Sequence, residues 1–409
     1  MLGLLLLIFL LSACGGRAQL LDEEAAEVYY YQPIAPAPTS MRLMTRLNIE
    51  TAPLEPGAGM YAGIYLRQDR TVAGIDNFEE HVNVSHAIFA YSMTIGEPYP
   101  IMFVLESIAR HKTPLITVRP PAYNPYNLDN IAALARDVGR FNVPIFILLY
   151  PIEGEHGLIP HEYISFFRES RAIFNHYAPN ATMVWGVDRD NLFTAMHFFA
   201  GADYVDWVNF TIYNDISPSG LFRDFFAYID FFNLSFQRYA PMMVTTGVSH
   251  HNFYTNTYFV NEAASKLLYI YNGLSLYPRI SAIIYQNYDN ICIEGGIGQN
   301  YTVNGSFILE EAYRAAMHGG GFLPQVLEGR GRGSLLLHSP FRALSYGGNF
   351  FIPHRALEYS LGLDLESILH LGVIWEYEIY YDMRHVYDIL GLDFYIDGLM
   401  GALVLTNDN

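Results

Sequence analysis

VPIFILLYPIEGEHG, residues Val143 to Gly157, decides the fold. From Ile145 to Leu149 it is apolar without alternation. A strand with one wet face alternates apolar and polar residues. A strand buried on both faces does not, and burial on both faces marks a parallel sheet. The run then stops in Glu153, Glu155 and His156, spaced by Gly154 and Gly157. A buried strand that delivers acids to the rim of a pocket has this pattern.

Seven further segments share the character: Tyr61–Leu66, Ser85–Met93, Thr113–Pro120, Ala181–Val187, Val205–Tyr213, Ala240–Val248 and Ile280–Tyr288. Longer segments with apolar residues at helical spacing lie between most of them. In His161–Ala178, Phe166, Phe167, Ser170 and Phe174 fall on one face, which predicts core packing. Strands alternating with helices over about 260 residues predict an α/β fold of the (β/α)8 barrel type, whose usual size is ~250 residues. An open doubly wound sheet is the competing arrangement. No G-x-G-x-x-G follows the first strand, so a dinucleotide site is not expected.

Outward from the barrel, the chain changes character at both ends. MLGLLLLIFLLSACGG, Met1–Gly16, is too short to span a bilayer, which takes ~20 apolar residues. It reads as the apolar core of a signal peptide over residues 1–14. Leu11-Ser12-Ala13-Cys14 resembles a bacterial lipobox. The expectation is an exported protein, lipid-anchored through Cys14 to the outer face of the cell membrane. Cys292 is then the remaining cysteine, and neither a disulfide nor a cysteine metal site is expected. Residues 15–59, acidic and then rich in Pro and Ala, read as a flexible tether to a barrel over 60–320.

GGGFLPQVLEGRGRGS, Gly319–Ser334, breaks the rhythm as a linker or an irregular strand pair. Over 321–409 a small α+β module with an internal repeat is expected. FIPHRALEYSLGLDL (Phe351–Leu365) and YYDMRHVYDILGLDF (Tyr380–Phe394) share Arg355 and Arg384 and a Leu-Gly-Leu-Asp at the same offset. Each reads as a strand end, a short helix and a glycine stop. The module resembles the stalk domain named after the N-terminal region of copper amine oxidases. The name implies no copper, since His354, His370 and His385 show no ligand clustering.

Acidic side chains number 41 against 23 basic ones, a net charge of −18. Phosphate backbones are held by clustered Lys and Arg, so nucleic acid is not an expected partner. Aromatics make up 15% of the chain, with 32 Tyr, and a Tyr ring offers a stacking face and a polar tip. A neutral, hydroxyl-rich ligand such as a polysaccharide or cell-wall glycan fits both facts.

Barrel chemistry gathers at the C-terminal ends of the strands. Those ends supply Tyr91, Arg119, Glu153, Glu155, His156, Trp185, Asp188, Asn209, Tyr213, Asp215, Thr245, His250, Tyr285 and Asn287. Rings, amides and carboxylates form a sugar-binding palette: rings stack on pyranose faces, acids and amides hold hydroxyls. His156, His250 and His251 show no H-x-H or H-E-x-x-H spacing, so no metal or other cofactor is expected. No serine elbow or phosphate-binding loop is present.

Two segments sharpen this. YAPNATMVWGVD (Tyr177–Asp188) and YVDWVNFTIYND (Tyr204–Asp215) resemble strands of glycoside hydrolase family 26, the mannanase type, over Met60–Gly319. That family implies a retaining mechanism, with an acid after strand four and a glutamate nucleophile after strand seven, ~5–5.5 Å apart. The chain departs from it at both places. The acid position falls on Gly154, flanked by Glu153 and Glu155. The nucleophile segment reads Val244-Thr245-Thr246-Gly247, with no carboxylate between Asp230 and Glu262. An inverting pair ~6.5–9.5 Å apart remains open, with Glu153 or Glu155 as acid and Asp188 or Asp215 as base. A non-catalytic carbohydrate-binding module of the cell envelope is the alternative.

Overall fold

Strands form where the apolar runs predict them. In the computed structural model, β1 (Thr39–Glu50) is followed by β2 (Met60–Arg67), α1 (Ile75–Val82), β3 (Ile88–Thr94), α2 (Ile101–Ala109), β4 (Thr113–Arg119) and α3 (Leu128–Val138). Next come β5 (Ile145–Leu149), α4 (Pro160–Tyr177), β6 (Ala181–Asp188), a 3-10 helix (Leu192–Phe198), β7 (Trp207–Asn214), α5 (Phe225–Phe236) and β8 (Met242–Val248). A small hairpin of β9 (His251–Asn252) and β10 (Thr257–Tyr258) leads to α6 (Val260–Leu274), β11 (Ile280–Tyr288) and α7 (Phe307–Gly319). The remainder is β12 (Phe322–Leu323), β13 (Arg332–Tyr346), β14 (Asn349–Pro353), α8 (His354–Leu361), a 3-10 turn (Glu366–Leu371), β15 (Val373–Trp375), β16 (Glu378–Asp382), α9 (Met383–Leu390), β17 (Asp393–Asp397) and β18 (Ala402–Thr406). The structure describes residues 37–67, 74–154, 157–291, 298–319, 321–327, 332–361 and 365–406. Thr39–Asn409 forms one compact unit.

β2 to β8 and β11 pair side by side in parallel, and β11 returns to β2 from Ala282↔Tyr61 to Tyr288↔Arg67. The sheet is thereby closed into a (β/α)8 barrel. Alternate residues point inward. Tyr61, Ile88, Leu115, Phe146, Trp207, Met243 and Ile284 pack there with Leu54 from the segment before β2. Each such side chain contributes ~1.5–3 kcal/mol when fully buried. The helix-facing residues form a second shell, in which α4 buries Phe166, Phe167, Ser170 and Phe174 as the spacing predicts.

The expected tether over 15–59 differs from Thr39 onward. Residues 39–50 are β1, which lies inside a seven-stranded sheet in the order β15-β16-β14-β13-β1-β18-β17. β1 runs antiparallel to β13 and parallel to β18. Its Leu43 and Met44 are both buried, on opposite faces of the sheet. The next residues plug the N-terminal end of the barrel. Pro53 O accepts the Trp207 indole N–H at 2.7 Å. Glu55 meets Arg279 at 3.2 Å, and both side chains are buried. The Pro and Ala content of the preceding residues hid this pairing, because a strand that gains both neighbours from distant sequence carries little local signal.

The internal repeat is a structural repeat. β14–α8 and β16–α9 are equivalent strand–helix units, and their strands pair antiparallel as Phe351↔Asp382, Ile352↔Tyr381 and Pro353↔Tyr380. A local twofold axis therefore passes through the Ile352–Tyr381 pair. Both helices cover one face of the sheet, burying Leu357 and Val386 with Leu403 and Leu405. Gly391 ends α9 in the left-handed conformation, φ 66°.

Candidate functional site

A kink builds the site. β5 ends at Leu149, and the next residue, Tyr150, is left-handed at φ 47° with its buried ring stacked on Phe166 at 4.8 Å. Past this bulge the chain resumes parallel pairing with β6: Ile152 N–H donates to Gly186 O at 2.8 Å, and Asp188 N–H to Ile152 O at 2.9 Å. Gly154 is left-handed too, φ 56°, and its N–H donates to Asp188 Oδ2 at 3.1 Å. Glycine suits that φ, since a Cβ there carries strain. This bend turns Glu153 into the barrel mouth.

The mouth holds a cavity of about 340 Å³. Glu153 pairs with Arg119 at 3.1 Å across its wall, and Arg119 Nε donates to Ser92 Oγ at 3.1 Å. Tyr65, Tyr213 and Tyr288 supply the aromatic wall. The Tyr213 and Tyr288 hydroxyls share a hydrogen bond, and burial raises both phenols, Tyr213 well above its usual range and Tyr288 to about 12. Both rings are therefore neutral hydrogen-bonding surfaces at physiological pH. Thr117, Thr211, Thr245 and Gln286 line the floor. Thr245 Oγ1 donates to Asn209 Oδ1 at 2.7 Å, and Asn209 Nδ2 donates to Thr211 Oγ1 at 3.1 Å, so these polar groups satisfy one another.

Of the residues expected from the sequence, Arg119, Glu153, Tyr213 and Thr245 meet in this cavity, with Asn209 buried beneath them. Others do not reach it. Trp185 lies one residue off the inward register and packs outside the barrel between Phe199 and Phe236. Tyr285 donates its hydroxyl to Tyr301 O at 2.9 Å, and Asn287 donates to Asn304 Oδ1 at 2.9 Å. Tyr91 leans on Phe103 at 5.0 Å. Period-two alternation sends all of these toward the helices, while their neighbours face in. His250, past the end of β8, is buried against Tyr258, and burial lowers its imidazole to about 4.

The two proposed bases sit apart from the cavity lining. Asp188 spends its oxygens on loop structure, accepting from Gly154 N, Asn191 N and Asn191 Nδ2. Asp215 accepts the Tyr301 hydroxyl at 2.5 Å, and burial raises its carboxyl against that bond and the fields of Arg189 and Arg223. Glu155, His156, Cys14 and Cys292 lie outside the described residues. The sequence reading missed Tyr65, Ser92, Thr117, Thr211, Gln286, Tyr288 and Asn290. Strict alternation from Arg119 and Tyr213 reaches Thr117 and Thr211. Among the described residues, no three His, Cys, Asp or Glu side chains converge as metal ligands.

Glycoside hydrolase barrels are among the solved structures similar to this chain. A family 26 β-mannanase from Bacteroides ovatus shares 11% identity at a TM-score of 0.47, covering 65% of this chain and 90% of its own. GH26C from a Muricauda species shares 12% at 0.48, over 66% of this chain and 87% of that one. A family 113 β-1,4-mannanase shares 10% at 0.46, over 64% and 98%. No family model matches the sequence, and no curated protein does.

Proposed function

We propose that the barrel mouth binds a β-linked polysaccharide and does not hydrolyse it. The observation that carries this reading is a missing pair. Among the described residues, Glu153 is the one carboxylate lining the cavity, and it is charge-paired with Arg119. Hydrolysis by either geometry takes two carboxyl groups facing one bond. Thr245, in the segment where the nucleophile is expected, is bonded to Asn209. What remains is a binding palette: Tyr faces, Gln286, Asn290 and threonine hydroxyls around about 340 Å³, the lower range for ligand pockets. The resemblance of Tyr177–Asp188 and Tyr204–Asp215 to family 26 strands supports a β-linked chain as the ligand class.

Calorimetric titration with oligosaccharides of mannan, xylan, mixed-linkage β-glucan and peptidoglycan tests it. At least one is expected to bind, with affinity falling about tenfold in Tyr288→Ala, or ~1.4 kcal/mol. Product analysis should show no cleavage. Turnover that vanishes in Glu153→Gln or Glu155→Gln would overturn the reading.

We further read the chain as an exported lipoprotein carried on Cys14, with the repeat-containing sheet as a stalk-like module. The apolar run ending in Leu-Ser-Ala-Cys supports the first part, and the two strand–helix units support the second. Radiolabelled palmitate that is incorporated equally by the native chain and by Cys14→Ser would refute the lipid anchor.

A further inference from the structure

Where the barrel helices meet the sheet, two open lobes of about 230 and 510 Å³ adjoin. Arg42, Asp230 and Tyr277 line both. Arg342 is the direct register partner of Arg42 across β1 and β13, so the two side chains leave the same face of the sheet, and both line the smaller lobe. Like charges directly opposite on a sheet repel. Arg342 Nε donates to Ser40 Oγ at 2.8 Å, while Arg42 has no hydrogen-bond or ion-pair partner among the described residues. Asp230, in the same cleft, accepts the Tyr277 hydroxyl at 2.5 Å instead. In a chain with 41 acidic and 23 basic side chains, two adjacent arginines beside the single carboxylate of Asp230 run against the general surplus.

Two more features point to a ligand. Asn233 lines the smaller lobe at 1% exposure, and its Oδ1 is buried without a hydrogen-bond partner among the described residues. An acceptor left so costs ~1–3 kcal/mol unless something donates to it. The larger lobe has an aromatic wall. Phe226 lies parallel to Tyr277 at 5.9 Å and edge-on to Tyr269 at 5.0 Å. It fits because Gly273 stands beneath it, where a Cβ would come within 2.1 Å of the ring. Tyr269 remains 52% exposed.

We propose that this seam is a second binding site, for an anionic saccharide. Arg42 and Arg342 bridge its carboxylate or phosphate, as paired guanidinium groups do well. The sugar ring lies on the Tyr269 wall, and its hydroxyls donate to Asp230 and Asn233. The site is separate from the barrel mouth and does not depend on what the mouth binds.

Calorimetry on the full chain tests this with trigalacturonate, glucose 6-phosphate and neutral cellotriose. At least one of the two anionic probes should bind, and which of them does identifies the anion. Its affinity should fall at least tenfold in Arg42→Gln and in the more exposed Arg342→Gln, and weaken with added salt. Glu310→Gln, at the exposed His81 contact, should leave it unchanged, and cellotriose should not compete. Two results overturn the proposal: neither anionic probe binds the native chain, or binding persists unchanged in both arginine variants. Melting temperature confirms that each variant is folded, and Tyr269→Phe, which keeps the stacking face, should retain binding.

Discussion

Glu55 and Arg279 illustrate what a single buried charge commits a barrel to. Removing one partner leaves the other unpaired, at a cost of ~3–5 kcal/mol. Glu55→Gln should therefore lower the melting temperature by many degrees, whereas Glu310→Gln at the exposed His81 contact should change it little. Buried imidazoles give a second residue-level prediction. Burial lowers His86, His338 and His250, the last to about 4 from 6.5. A base with a depressed folded value binds its proton later than the unfolded chain does. Its contribution to stability is thus complete above 6.5 and lost as pH falls toward 4. Thermal melts across that window should steepen downward in the native chain and less so in His250→Gln, and identical slopes would count against the burial argument. At this scale four residues named from the sequence, Arg119, Glu153, Tyr213 and Thr245, line the cavity, while Trp185, Tyr285 and Asn287 were named where their neighbours face inward. The reason is physical. A strand buried on both faces has no polarity contrast to mark the inside, and Ser92 or Thr211 look like ordinary strand residues until the barrel is closed around them.

The eight barrel strands were legible because their unbroken apolar runs admit little besides a doubly covered sheet. β1 was not, since its partners β13 and β18 lie far along the chain, Arg42 pairing with Arg342 and with Ala402, and its own composition is unremarkable. A chain that starts at Met60, the barrel boundary drawn from sequence, loses both an interior strand of the sheet and the plug around Leu54. It is expected to be insoluble, while one starting at Pro38 should fold, and limited proteolysis distinguishes them. The β15–β16 hairpin offers a gain instead. Its two-residue turn puts Glu376 at φ 44° and Tyr377 at φ 69°, both left-handed, where Asn-Gly is preferred. Glu376→Asn with Tyr377→Gly should stabilise the sheet by ~1–2 kcal/mol in chemical denaturation.

Barrel and sheet are joined by a reciprocal amide pair. His338 N–H donates to Gln237 Oε1 at 2.8 Å, and Gln237 Nε2 donates to His338 O at 2.7 Å. The His338 ring also stacks on Tyr277 and reaches Leu276 O at 2.7 Å. Such a joint couples the two folds, so a single calorimetric transition is expected. Gln237→Ala leaves the partly buried N–H and C=O of His338 without that partner, costs ~1–3 kcal/mol, and should split or broaden that transition.

The position of β1 also decides how the molecule takes a mechanical load. Tension applied through the residues before Thr39 runs along β1, and its hydrogen bonds to β13 and β18 lie across that direction. They must slide and rupture together, unlike a hairpin that unzips bond by bond. A chain hauled from that end should hold to a high force and then give way abruptly, a signature that single-molecule pulling reads directly.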